Sequence, residues 1–128
     1  MINTLNLVPF MAVRAFDPMA PIVLTVEADR FHVAVLNVGG LDDIYSYLPE
    51  ADTFNFVTRV RTPVLMINGE YDIDVRLETS QKPMYELLGT EPEHKKLRLV
   101  PAAHFVPEDV LIRESLDWFD KYQGDVAN

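Results

Sequence analysis

Cysteine is missing from this chain of 128 residues, which rules out disulfides and zinc sites built on thiolates. Glycine is scarce: there are five, and none stands before Gly39. Basic side chains are outnumbered 11 to 20 by acidic ones, for a formal charge of -9, and they are scattered. Nucleic acids and anionic membranes attract basic patches, so neither is expected as a partner. No stretch approaches about 18 consecutive apolar residues, the length of a membrane-spanning helix. Met1-Ile2-Asn3-Thr4 also lacks the basic region of a signal peptide. These absences lead to the expectation of a cytoplasmic protein that keeps away from membrane.

The chain does have the means to build a core: 48% of its residues are hydrophobic and only 24% are charged. Its length suits one domain or part of one, since domains cluster at about 100–150 residues. Val64-Leu65-Met66-Ile67 is a short unbroken apolar run, entered after Pro63 and left through Asn68-Gly69. A strand buried on both faces of a parallel sheet has this pattern. Glu70-Tyr71-Asp72 therefore sits at the carboxyl edge of the sheet, where open α/β sheets collect ligands and catalytic groups. A second strand-like run, Leu97-Arg98-Leu99-Val100, ends in Pro101-Ala102-Ala103, and His104 is the first large polar side chain beyond it. Two neighbouring parallel strands would thus carry a carboxylate and an imidazole on adjacent loops, two members of a nucleophile–histidine–acid triad. Asp74 is the nearest competitor for the acid.

The remaining segments frame these loops. Residues 1–16 have no clear period and receive no role. From Asp17, a good helix cap, through Pro18 and Pro21, the pattern turns helical with Ile22, Val23 and Val26 as its apolar stripe. Phe31 to Val38 is a β-branched run stopped by Gly39-Gly40, the first of about three strands. Leu41 to Arg61 is a long acidic connection without period, and loops of that length are usually functional or poorly ordered. Its Tyr45, Tyr47, Phe54 and Phe56 read as packing or as a substrate wall. Leu77 to Leu88 predicts a helix broken or restarted at Pro83, with Leu77, Met84, Leu87 and Leu88 inward and Gly89 as its stop. The last helix starts at Pro107-Glu108-Asp109, carries Leu111, Ile112, Leu116, Trp118, Phe119 and Tyr122 at helical spacing, and ends at Gly124, before a tail at 125–128. His32 and His94 read as structural or solvent-exposed. Glu70, Asp72 and Asp74 lack the spacing of a calcium-binding loop, so no metal and no cofactor is expected.

The segments Thr62–Asp72, Glu78–Gly89 and Ala103-His104-Phe105, with the helix reaching Tyr122, resemble the C-terminal half of the α/β-hydrolase family. They are most similar to dienelactone-hydrolase-like and prolyl-oligopeptidase-like serine hydrolases, including those at the C-terminus of large bacterial Ser/Thr kinase-type proteins. The resemblance runs from about Met19 to Tyr122. It implies an α/β domain part over residues 17–124, a partial α/β-hydrolase fold of about three parallel strands with flanking helices. It also implies Asp72 as triad acid, His104 as triad base, and a small ester or peptide as substrate. Within the family the 41–61 connection passes over the active site, which makes a substrate-facing flap the alternative to a surface excursion.

The nucleophile of that family stands in Gly-x-Ser-x-Gly, because the strained turn from strand to helix admits only small neighbours. None of Ser46, Ser80 and Ser115 has a glycine two positions away. The resemblance places Val13 to Asp17 where the turn belongs, with Arg14 about where the serine would stand. The oxyanion hole, built partly from the N–H after the nucleophile, is lost with it. The expected function is a serine-hydrolase fragment that is inactive alone. The alternatives are a non-catalytic interaction module and a hydrolase completed by upstream residues or a partner chain. An open sheet edge would favour a homo- or hetero-oligomer. Marginal stability or lost upstream coding sequence are the other expectations.

Overall fold

The computed structural model of the chain describes residues 8–13 and 19–123. Its elements, in order, are β1 (Val8–Val13), α1 (Met19–Val26), β2 (Phe31–Asn37), α2 (Phe54–Val57), β3 (Val64–Gly69), α3 (Lys82–Leu87), β4 (Lys95–Val100) and α4 (Glu108–Gln123). The strands form one sheet in sequence order, β1-β2-β3-β4, and every neighbouring pair is parallel. Parallel neighbours require a crossover between them, and the crossovers lay helices on both faces.

Alternation along the two central strands divides the core. Val33 and Val35 of β2 and Leu65 and Ile67 of β3 pack on Trp118 and the inner side of α4. Ala34, Leu36, Val64 and Met66 face the other way, onto Ala20 and Leu24 of α1 and onto Met84 and Leu88. The side-chain period of two sends successive residues to opposite faces, so the apolar run at Val64–Ile67 satisfies both layers at once. β3 is buried along its whole length.

The three expected strands are present, and the sheet gains a fourth. β1 lies in the stretch that received no role, parallel to β2, with a register shift between Val8 and Pro9. Proline lacks the donor that a ladder position uses, and a six-residue strand interrupted in this way leaves no periodic trace. The expected cap Asp17 and the turn containing Arg14 lie outside the described residues. In α1 the buried side is Ala20, Pro21 and Leu24, whereas Val26 of the expected stripe is 67% exposed. Apart from Thr25 that helix is apolar throughout, so its sequence does not single out a face. The helix expected to break or restart at Pro83 restarts there: a π-helical turn over Leu77–Gln81 passes into α3, which begins at Lys82 with Pro83 in its first turn. On α4, Ile112 and Leu116 point outward and Ser115 is buried in line with Trp118.

Lys95, at the entry to β4, reaches back to the end of α3. Its Nζ donates to the carbonyl oxygens of Tyr85 at 2.8 Å and Leu88 at 3.1 Å. This caps the negative end of the helix. Burial pushes the Lys95 ammonium below its ordinary range, and nearby Glu86 partly restores it.

The ends of β3 and β4 are bound to one another. Glu70 N–H donates to the Val100 carbonyl at 2.9 Å and Tyr71 N–H to that of Ala102 at 3.1 Å. A Cβ on Gly69 would lie 1.8 Å from the carbonyl oxygen of Ala103 and 2.4 Å from that of Ala102. Replacing glycine by alanine ordinarily restricts the unfolded chain and stabilises. Here the clash reverses the sign. Gly69→Ala should therefore lower stability by about 2 kcal/mol or more in urea unfolding. An unchanged midpoint would mean that the loop after β4 can retreat freely.

Candidate functional site

Asp72 follows β3 by three residues and is buried, at 5% exposure. Its Oδ1 accepts the backbone N–H of Asp74 at 2.8 Å and of Val75 at 3.0 Å, the self-capped turn that aspartate favours. That turn aims Oδ2 at the loop after β4. There His104 Nδ1 lies 2.9 Å away, on a side chain that is 19% exposed. A carboxylate can only accept, so Nδ1 carries the proton and Nε2 is the basic nitrogen of the neutral ring. Phe105 meets the imidazole edge-on, with centroids 5.3 Å apart. Asp74 stands further off, at 3.9 Å from the same Nδ1, and is largely exposed.

Two buried amides hold this corner, and the sequence reading gave neither a role. Gln81 Nε2 donates to the carbonyls of Gly69 at 2.9 Å and Val75 at 2.7 Å, spanning the turn that carries Asp72. Asn68 Nδ2 donates to the Gly39 carbonyl at 2.8 Å and ties the end of β3 to the corner after β2. The π-helical turn is what points Ser80 and Gln81 inward, and Ser80 Oγ donates to the Leu41 carbonyl. The available signal was a polar Ser-Gln pair set between the inward Leu77 and Met84.

The 41–61 connection is pinned at its start. Asp42 accepts the N–H groups of Ile44 and Tyr45 and the hydroxyl of Tyr47. Asp43 accepts from Thr79 and from Arg76, whose Nη2 lies at 2.9 Å. The Thr79 hydroxyl does most to hold the Asp43 carboxyl below its usual range; burial opposes it and Arg76 assists. Tyr45 and Phe54 are exposed, so these aromatics are not tucked beneath the connection. Tyr47 and Phe54 line a cavity of about 190 Å³ with Asp43, Thr79 and Pro83. A separate cavity of about 270 Å³ lies beside His104, and no residue of the connection lines it.

The other two histidines serve elsewhere: His94 Nδ1 pairs with the Tyr122 hydroxyl at 2.9 Å, and His32 Nδ1 is buried within the sheet. Ligand atoms of Asp72, Asp74 and His104 lie within 4.8 Å of one another and could hold a metal ion; Glu70 is not among them. Nδ1 cannot bind a metal and keep the proton it shares with Asp72, so the two uses exclude each other.

No known family profile matches the sequence, and no curated protein matches it. Solved structures do match the fold. A cold-adapted esterase from an Arctic intertidal metagenomic library aligns over 89% of this chain and 47% of its own, at 21% identity and TM-score 0.66. An esterase of Pyrococcus furiosus aligns over 93% and 55%, at 15% identity and TM-score 0.69. A protein described as a dipeptidyl aminopeptidase IV, from Bacteroides ovatus, aligns over 82% and 18%, at 15% identity and TM-score 0.62. The chain spans about half the length of the two esterases. Its fold is thus part of an α/β-hydrolase fold: parallel strands, flanking helices, with Asp72 and His104 on the loops after its last two strands. Among the described residues no helix is long and apolar enough to cross a membrane.

If Asp72 sets the histidine tautomer, Asp72→Asn should change it, because an asparagine can turn its own N–H₂ toward Nδ1. Long-range ¹H–¹⁵N spectra of the neutral ring should report the proton on Nδ1 in the wild type and on Nε2 in the variant. Equal tautomer populations would mean that the bond does not orient the ring.

Proposed function

We propose that the chain is the C-terminal part of a serine-hydrolase catalytic domain acting on ester or peptide bonds, with Asp72 as the acid and His104 as the general base. The observation that carries this reading is the 2.9 Å bond from His104 Nδ1 to a buried carboxylate, on adjoining loops at the carboxyl edge of the sheet. The strand order and the solved esterases of like fold support it. In the reaction, His104 Nε2 takes the hydroxyl proton of the nucleophile as that oxygen bonds to the carbonyl carbon. It then gives the proton to the departing alcohol or amine, and water repeats the cycle on the acyl intermediate. Asp72 keeps its proton off throughout and stabilises the imidazolium.

The nucleophile and the oxyanion donors come, on this reading, from preceding sequence or from a partner chain, because these 128 residues contain no Gly-x-Ser-x-Gly. Among the described residues β1 has β2 as its one neighbour, and on this reading its far edge pairs with further strands. The same edge favours a second reading, a non-catalytic module that binds a protein partner or a second copy. Neither reading calls for a cofactor, and the setting we propose is cytoplasmic, with no helix among the described residues long and apolar enough to cross a membrane.

Hydrolysis of p-nitrophenyl acetate separates them. The isolated chain and its His104→Ala variant should give equal background rates. Joined to a segment that supplies the nucleophile, the wild type should gain activity that His104→Ala reduces by about 10³-fold or more. A histidine-dependent rate in the isolated chain would overturn the external nucleophile. Full activity of the completed His104→Ala protein would overturn the role of His104.

A further inference from the structure

A π-helical turn is an uncommon way into a helix, and such turns collect at functional sites. The one over Leu77–Gln81 closes with the Gln81 N–H on the Arg76 carbonyl at 3.0 Å, five residues back. Two consecutive polar side chains leave it for the interior, Ser80 at 2% exposure and Gln81 at 0%. Their targets differ. Ser80 Oγ donates to the Leu41 carbonyl, beyond β2, whereas Gln81 Nε2 donates to the carbonyls of Gly69 at 2.9 Å and Val75 at 2.7 Å, on either side of Asp72.

The two residues that Gln81 holds are the two that hold Asp72. The Gly69 carbonyl also accepts the Asp72 N–H, at 3.4 Å, and the Val75 N–H donates to Asp72 Oδ1 at 3.0 Å. Backbone and carboxylate of the acid are therefore each linked to the same amide through one intervening residue. With Oδ1 engaged by the N–H groups of Asp74 and Val75, Oδ2 is the oxygen that meets His104 Nδ1. A carbonyl can only accept, so both Gln81 contacts demand a donor, and the amide nitrogen supplies two. Its Oε1 is left buried with no hydrogen-bond partner among the described residues. An unsatisfied buried acceptor is destabilising, so its presence here points to a need for two donors at this turn.

We propose that Gln81 is a positioning residue of the acid–base pair: it holds the turn so that Asp72 Oδ2 stays on His104 Nδ1, which keeps the ring proton there and leaves Nε2 as the basic nitrogen. The inference rests on the proposed roles of Asp72 and His104. Gln81 acts through Asp72 and not on a reacting atom.

The test reads two quantities on the chain as it stands, the tautomer of the neutral His104 ring from long-range ¹H–¹⁵N spectra and the midpoint of urea unfolding. Gln81→Met, close in size and without a donor, should lower the ratio of Nδ1–H to Nε2–H about tenfold, the equivalent of one hydrogen bond. Ser80→Ala removes a buried bond made by the same turn and should lower the midpoint while leaving that ratio unchanged. In an Asp72→Asn background, Gln81→Met should shift the ratio no further, because its effect passes through the carboxylate. If Gln81→Met fails to fold, Gln81→Asn decides: its amide is one methylene shorter, cannot span both carbonyls, and should move the ratio the same way. The proposal is overturned by an unchanged ratio in the folded Gln81 variant, by an equal fall in Ser80→Ala, or by a further fall in the Asp72→Asn background. A wild-type ring with its proton on Nε2 would instead remove the acid–base reading itself, so the two ideas fail on different results.

Discussion

The close crossing at the ends of β3 and β4 is the constraint on which the site depends. Two backbone hydrogen bonds, from Glu70 to Val100 and from Tyr71 to Ala102, bring the loops together, and Gly69 lets the Ala102–Ala103 backbone lie across the strand end. Only with the loops at that distance can a short carboxylate and an imidazole meet at 2.9 Å. Everything behind the crossing, from the apolar filling of both sheet faces to the cap that Lys95 places on α3, holds two strand ends level with each other. The contact between the Asp72 carboxylate and the His104 imidazole then needs no further scaffold to align it.

The contrast between what was legible in the sequence and what was not follows the same physics. β3 announces itself because a strand buried on both faces must be apolar at every position, and proline and glycine mark its limits. Asp72 and His104 could be found because each lies within a few residues of the end of a strand-like run, Asp72 just beyond Asn68-Gly69 and His104 as the first large polar side chain past β4. β1 escaped because Pro9 interrupts it and nothing alternates within it. The inner face of α1 escaped for the opposite reason, since a helix apolar on all sides gives no stripe to read. Gln81 and Asn68 work through backbone carbonyls of distant segments, at 12 and 29 residues' separation. No local pattern encodes a bond of that kind.

Ile112 and Leu116 form an exposed apolar pair one turn apart on α4, beside the stripe that meets the sheet. The solved esterases of like fold extend to about twice the length of this chain.

The loop that carries Asp72 is held from more than one side. Gln81 clasps the carbonyls of Gly69 and Val75, and Asp72 closes the same turn by accepting the backbone N–H groups of Asp74 and Val75 on its Oδ1. The Asp72 loop is therefore tied within itself as well as to the imidazole opposite. Most of those ties do not involve residue 104, so an intact Asp72 loop in a related chain would say little about whether that chain does chemistry.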